Sequence, residues 1–478
     1  MLALNSQAPW NDGTRLFGLA TLLMLAPLTG LLIVHAPLVA WVLVGALAAL
    51  LFLEFSSIYW VVIAIMAATL SRVAVAFGAP HFLNFVHFPL VVGAFVVTLL
   101  KGHTSRPARA IGNCLGVFLV VNVASWLIND GEILRPVLNW LVLMEPFLLL
   151  YVLLATPVTA RTSSLLWKVL LAICFVQVPL GAWQFLTVSR GNPDLIQGTF
   201  IGSGTGAHVA GAVTLLGFLI LICRGAASSV PHIKTVCFAA AVPLIGLAVI
   251  ADAKQSIYCF IPALLFAIVS IKGVHPLKVV LPILFLGLLL YASFYFYRPL
   301  QKIEQRGLVS HGLQGKTSAF LTIVSAMSET PTGLVVGVGP GNSVSRVALM
   351  TPDAQLDGTS AISALDLKTA PLTRELLDIS YHNWLWKSSS VWSPECSWFG
   401  LFGDLGFLGV GVYLWMLWLA WKIAGRQGGW LSASAKGSLI ALASLGGVYT
   451  WLEEPSFTLL VALLIGLAVM PRLKTDAA

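Results

Sequence analysis

The chain reads as an all-α polytopic integral membrane protein with about 14 transmembrane helices and one large, partly helical external loop. Three observations predict this class. Hydrophobic residues make up 58% of the 478 positions and charged residues only 10%, a balance far from that of water-soluble domains. Apolar runs of about 17 to 23 residues recur along nearly the whole chain, each long enough to cross a hydrocarbon layer about 30 Å thick. Finally, the basic residues fall in alternate connections, as the positive-inside rule requires of a chain that crosses back and forth.

The runs centre on residues 15–34, 36–54, 57–77, 81–100, 112–128, 134–155, 165–187, 205–223, 231–250, 255–271, 277–297, 399–422, 434–452 and 456–471. This divides the chain into 1–297 with helices 1 to 11, a loop at 298–398, and 399–478 with helices 12 to 14 and a tail. The opening "MLALNSQAPWNDGTR" lacks a basic n-region and a small-residue cleavage site, so the first run is expected to be retained. Arg15, Lys101/Arg106/Arg109, Arg161/Lys168, Arg224/Lys234, Lys272/Lys278, Lys422/Arg426/Lys436 and Arg472/Lys474 mark every second connection as cytoplasmic. Both termini are then cytoplasmic and 298–398 is outside. The formal charge of +8 is spread along the chain rather than gathered in one block, so no nucleic-acid partner is expected. Five of the six cysteines lie in or beside runs and no CxxC occurs, which supports neither a disulfide framework nor a zinc site.

The loop at 298–398 is the one long connection, and long connections in compact proteins usually carry function. It holds eight basic residues, eight acidic residues and two histidines. "KTSAFLTIVSAMSETP" (Lys316 to Pro331) predicts a helix capped by Thr317 or Ser318. In "GLVVGVGPGNS", Gly337, Gly339 and Gly341 permit positive φ and close backbone approach, as in a tight turn or an anion-binding nest of amides. "PLTRELLDISYHNWLWK" (Pro371 to Lys387) has helical spacing with Leu376, Leu377, Tyr381, Trp384 and Leu385 as its apolar set. Arg374, Asp378 and His382 then stack on one face, where Asp378 can orient His382 as a general base or form a solvated ion pair.

In their order and placement, these features resemble the O-antigen ligase and polysaccharide polymerase family of membrane glycosyltransferases. The pieces are "GTFIGSGTGAHVAG" entering a run, "ADAKQSIYCF" opening another, "GKTSAFLTIVSAMSETPTGLVVGVGPGN" in the loop, and "YHN" with "GDLGFLG" around the twelfth run. Together they cover about residues 190–410. Lys254 and Lys316 stand where the family has arginines, and the glycine pair that closely follows the family's histidine is delayed here to Gly406 and Gly409.

The resemblance implies a bacterial inner-membrane enzyme with its active site facing the periplasm, an undecaprenyl-diphosphate-linked glycan as donor, and a glycan or lipid-linked acceptor. It implies metal-independent transfer without a cofactor, and a chain-length regulator as a partner. A polymerase moves the growing glycan onto a second lipid-linked repeat unit, whereas a ligase moves it to lipid A-core or a protein. Expelling a diphosphate needs cations where charge develops and a base near the acceptor hydroxyl. Lys254, Lys316, Arg298 and Arg306 are the candidate cations. His382 is the candidate base, with Asp378 behind it and His311 as the substitute; Asn383, Trp384, Asp404 and Arg72 are candidate substrate contacts.

Other residues compete with blander roles. Arg72 lies near the outer end of the third run, where an arginine also reaches the interface by snorkelling. Glu145, deep in "LVLMEPFLLL", needs a polar partner or a proton. His208 fits a hydrogen-bonded interface role, and Asp404 fits a helix cap as well as a sugar contact. Trp386 and Trp392 fit stacking on sugar, and Trp398 an interfacial anchor. A transporter or flippase of lipid-linked sugars is the reading from another class. It asks for ionisable residues along a mid-membrane path and a repeated architecture, and Glu145 stands almost alone.

Overall fold

The computed structural model describes residues 57–189, 192–202, 205–271, 308–351, 367–381 and 395–470, and among them every regular element is helical. The expected runs at 15–34, 36–54 and 277–297 lie outside the described residues. Eight helices come first: α1 (Ser57–Ala76), α2 (His87–Leu100), α3 (Arg106–Asn129), α4 (Leu134–Ala155), α5 (Ala160–Thr187), α6 (Gly206–Ala227), α7 (Pro231–Ile250) and α8 (Lys254–Val269). The loop supplies α9 (Leu308–Ser328), α10 (Gly333–Val336) and α11 (Pro371–Tyr381), followed by α12 (Ser397–Ala424), α13 (Gly429–Gly446) and α14 (Pro455–Leu467).

Among the described residues seven helices, α1, α3, α4, α5, α6, α7 and α12, are long and apolar enough to cross a membrane. Burial sorts them: 83% of the apolar window of α6 and 72% of that of α4 are inside the protein, against 28% for α7. The sequence of α6 explains its place. Gly211, Gly217 and Gly225 face Ala253, Cys174 and Cys237 on neighbouring helices, close enough that a methyl group at any of the three would meet its neighbour. Small residues at such spacings let helices approach where lipid offers no hydrophobic drive.

Three of the expected runs, the fourth, tenth and fourteenth, are shorter than predicted. A 3-10 turn at His81–Phe85 precedes α2, so α2 has 14 residues, while α8 has 16 and α14 has 13. At 1.5 Å per residue these measure about 21, 24 and 20 Å, less than the ~30 Å hydrocarbon thickness. Their cytoplasm-assigned ends are in register with the long helices. Thr98 at the end of α2 donates to Ser57 at the start of α1 (3.1 Å). Gln427, in the α12–α13 connection, donates to Val469 O just past α14 (2.6 Å). Phe266 near the end of α8 packs on Trp421 near the end of α12 (ring centroids 4.9 Å apart). Measured against the apolar layer, the shortfall of these helices is therefore at the opposite end, the one that the charge pattern assigns to the outside. Measured against the predicted runs, α2 loses its first six residues there, whereas α8 and α14 begin one residue early and end two and four residues short.

The depth of this recess follows from two contacts. Ser456 at the start of α14 donates to Ala68 O (3.0 Å), eight residues or about 12 Å below the end of α1. Gly211, five residues or about 7.5 Å into α6, faces Ala253, the residue before α8. The described loop lies over this end. Ala319, Ile323 and Met327 of α9 pack with Leu372 and Leu376 of α11, Val344 and Phe402.

The loop helix starts earlier than predicted, at Leu308 rather than near Thr317. Gly312 and Gly315 cost it only about 1 kcal/mol each, and neither residue stops a helix as proline would. The twelfth run is also interrupted: Gly406 has φ 62° and ψ −161°, which breaks α12 into 397–405 and 407–424.

Candidate functional site

At the recessed end, the connection between α13 and α14, residues 447–454, joins elements distant in sequence. Lys316 of α9 donates from Nζ to Val448 O (2.8 Å). Trp451 donates from Nε1 to Gln255 Oε1 (3.5 Å), next to Lys254 at the start of α8. Arg346 of the loop donates its backbone N–H to the Glu453 carboxylate, and its Nη1 to Glu453 O (3.1 Å) and Glu454 Oε2 (2.6 Å). Glu454 also caps α14 by accepting from Ser456 N, and the charge of Arg72 on α1 acts on it too. Lys316, a candidate cation, and Arg72, a candidate substrate contact, thus act on one connection together with Arg346, while the candidate cation Lys254 adjoins it through its neighbour Gln255.

The two adjacent glutamates, both nearly fully buried, are driven apart electrostatically. Burial disfavours ionisation of Glu454, but Arg346 and Arg72 outweigh it and hold its pKa at about 2. For Glu453 burial prevails: although the Arg346 N–H and charge oppose it, burial, with a smaller contribution from Asp404, pushes its pKa up to about 8. At neutral pH one carboxyl is charged and its neighbour holds a proton, the separation of roles that acid–base sites use. A third carboxyl, Glu395, is raised to about 7 by burial, with Lys316 as its opposing charge. Lys316 is itself shifted down by burial, against the charges of Cys396 and Glu395.

Lys254 pairs with Asp252 at 2.6 Å, both partly open to solvent. Asp252 takes a left-handed conformation (φ 51°) that turns the chain between α7 and α8. Burial raises its pKa, against Lys254. His208 lies within electrostatic reach of Lys254 and Asp194, and its carbonyl accepts from Ser256 (3.1 Å).

The glycine-rich turn has a different occupant from the expected ligand. Gly341 N (2.7 Å) and Asn139 Nδ2 (2.7 Å) donate to Asp404 Oδ2, while Asn342 N (3.2 Å), Ser343 N (2.9 Å) and Ser343 Oγ (2.6 Å) donate to Oδ1. Asp404 is wholly buried. The amides do form an anion nest, but the anion is the protein's own carboxylate, so Asp404 is corrected from a sugar contact to the anchor of the turn. The break at Gly406 makes this possible by freeing helix carbonyls: Gly403 O accepts from Val338 N (2.8 Å) and Asp404 O from Gly339 N (3.2 Å). Gly337 (φ 80°) and Gly406 approach so closely that a Cβ on either would sit within 2.7 Å of the other's backbone segment.

Arg135 completes the seat of the loop. It is 4% exposed, pairs with Glu132 (3.1 Å), and donates to Gly341 O and Lys368 O. Sequence reasoning assigned no site role to Arg135, Arg346, Glu453 or Glu454. The signal was present in "TWLEEPSF", where two carboxylates in a short turn between apolar runs require cations from elsewhere.

Asp378 and Arg374 lie on the exposed face of α11. His382, Asn383, Trp384, Trp386, Trp392, Arg298 and Arg306 lie outside the described residues, as does the side chain of His311. Glu145 has the partner it needed, since His87 Nδ1 lies 2.6 Å from its Oε1 with both groups buried. Comparison of the chain with protein-family models and with curated proteins finds no match to either. The family likeness rests on the order and placement of its motifs.

Proposed function

We propose that the protein is a glycan polymerase that transfers an undecaprenyl-diphosphate-linked oligosaccharide onto a second lipid-linked repeat unit at the periplasmic face. The observation that carries this reading is the recess: at the outer ends of the short α2, α8 and α14, Lys316 and Arg346 are bonded to the 447–454 connection, the charge of Arg72 acts on Glu454, and Lys254 opens α8. A lipid diphosphate has its charge at the membrane surface and its chain in the bilayer, and a group of cations beside apolar helices suits such a ligand. Directly below Lys254, Leu215, Phe218, Ile245, Ile257, Phe260 and Leu264 line an apolar groove between α6, α7 and α8.

In this mechanism Lys254 exchanges Asp252 for the diphosphate, and Lys316 adds a second point charge as the glycosidic oxygen leaves. His382, oriented by Asp378, takes the proton of the acceptor hydroxyl. The deciding experiment reconstitutes the purified protein with undecaprenyl-diphosphate oligosaccharide and two labelled acceptors, a second lipid-linked unit and lipid A-core. Chain growth on the lipid-linked unit supports polymerase; a single transfer to lipid A-core replaces it with ligase. Transport of lipid-linked sugar without bond formation would overturn both, and the buried His87–Glu145 pair, the kind of membrane-embedded ionisable pair that transporters use, is the observation that favours this second reading.

A further inference from the structure

The loop helices carry an apolar surface that the recess does not use. Phe320 and Leu321 of α9 are 38% and 59% exposed, and Leu334 and Val335 of α10 are 37% and 47% exposed. From Thr317 to Ser328, and again from Gly333 to Val338, the chain has no charged residue. This surface continues into the exposed apolar face of α12, a helix long and apolar enough to cross a membrane. Phe320 packs on Phe399 (5.3 Å) and Phe402 (6.0 Å), and Phe402 on Phe407 (5.0 Å). Phe407, exposed by 63%, begins a stripe that runs down the spanning part of α12 through Leu414, Trp415 and Trp418.

The level of the patch follows from the break in α12. Residues 407–424 rise about 27 Å, nearly the hydrocarbon thickness of about 30 Å, which sets Gly406 near the outer boundary of the apolar layer. Val335 O lies against Gly406, where an added Cβ would be 2.4 Å away, so α10 is at that boundary. Phe399 and Phe402, which hold Phe320, lie on the outer side of the break at Gly406, about 6 to 10 Å along the helix, which sets Phe320 at the level of the headgroups, just outside the apolar layer.

We propose that α9 and α10 lie half-immersed in the outer leaflet, with Phe320, Leu321, Leu334 and Val335 among the headgroups and upper acyl chains of bilayer lipids. The uncharged patch offers nothing to a polar partner, and its continuity with the exposed apolar stripe of α12 assigns the occupant. The bilayer then fixes the height of α9, and with it of Lys316, whose side chain turns inward to Val448 O.

The test places an environment-sensitive bimane label on Leu321→Cys and Val335→Cys, with Glu375→Cys on the exposed face of α11 as the aqueous reference. The full chain is held in nanodiscs of phosphatidylethanolamine and phosphatidylglycerol with brominated acyl chains, and unsubstituted protein sets the background from its six cysteines, all buried. The expected result is a ratio of lipid quenching to iodide quenching several-fold higher at 321 and 335 than at 375. Equal ratios at the three positions would refute the proposal. So would protection of 321 and 335 from both quenchers, which would place a protein surface, such as a second copy, over the patch. Leu334→Cys replaces either variant if it does not elute as the unsubstituted protein does. The readout is independent of glycan transfer, so failure here leaves the proposed activity standing, and the reverse.

Discussion

Replacing Asp404 by asparagine keeps its size and removes its charge at the point where the outer loop is tied to the bundle. Oδ2 accepts from Gly341 N and Asn139 Nδ2, and Oδ1 accepts from Asn342 N, Ser343 N and Ser343 Oγ. Whichever oxygen becomes an amide NH2 then faces at least two donors and can accept from neither. A hydrogen bond to a charged group contributes about 1.5 to 3 kcal/mol, so two lost bonds cost about 3 to 6 kcal/mol. Asn139 can rotate away, but the backbone N–H groups cannot, because Gly337 and Gly406 fix the approach of the turn to α12. The assay is thermal unfolding in detergent, followed by fluorescence-detected size exclusion, together with limited proteolysis of residues 330–351. Asp404→Asn is expected to unfold well below the unsubstituted protein and to be cut faster in the turn, with or without any glycan substrate. Unchanged melting and unchanged proteolysis would refute the assignment of Asp404 as the anchor and return it to the list of substrate contacts.

His382→Ala is expected to abolish glycan transfer in a protein that still inserts and folds, and Asp378→Asn to reduce the rate by a smaller factor; wild-type turnover in His382→Ala removes that histidine from the mechanism. Lys254→Ala and Lys316→Ala are expected to weaken donor saturation, and unchanged saturation in both counts against a diphosphate at the recess. The docking of the loop on 447–454 should depend on pH at both ends. Glu454, held at about 2 in the fold against about 4.3 unfolded, contributes stability that is present above the unfolded value and lost as pH falls towards 2. Glu453, held at about 8, contributes in its protonated form; that stability is complete below the unfolded value and is lost as pH rises through 8. Proteolysis of the loop should therefore accelerate at both extremes, and a flat profile between pH 3 and 9 would contradict this. Arg346→Ala leaves Glu454 without its nearest cation and should destabilise the loop by about 3 kcal/mol, read as release of the loop at lower temperature.

Several elements were legible in sequence because their cause is local. The run at 134–155 is α4 to the residue, and 231–250 is α7, since unbroken apolar composition over twenty residues leaves the backbone no alternative to a helix in lipid. The three glycines of "GVGPGN" do take positive φ, at 80°, 104° and 71°. The outer ends of the fourth and thirteenth runs were not legible. Hydropathy continues past the true ends of α2 and α13 because His81–Phe85 and Trp451–Leu452 are largely apolar while folding as 3-10 turns.

What the sequence by itself determined is the helical content and the apolar helices long enough to cross a membrane. Each is a sum over neighbouring residues and needs no partner. What only the tertiary structure decided is which polar group meets which: Asp404 with the nest at 341–343, Arg346 with Glu453 and Glu454, His87 with Glu145. A buried charge is stable only beside its counterpart, and those counterparts lie 58 to 108 residues away along the chain, a separation across which no local pattern reaches.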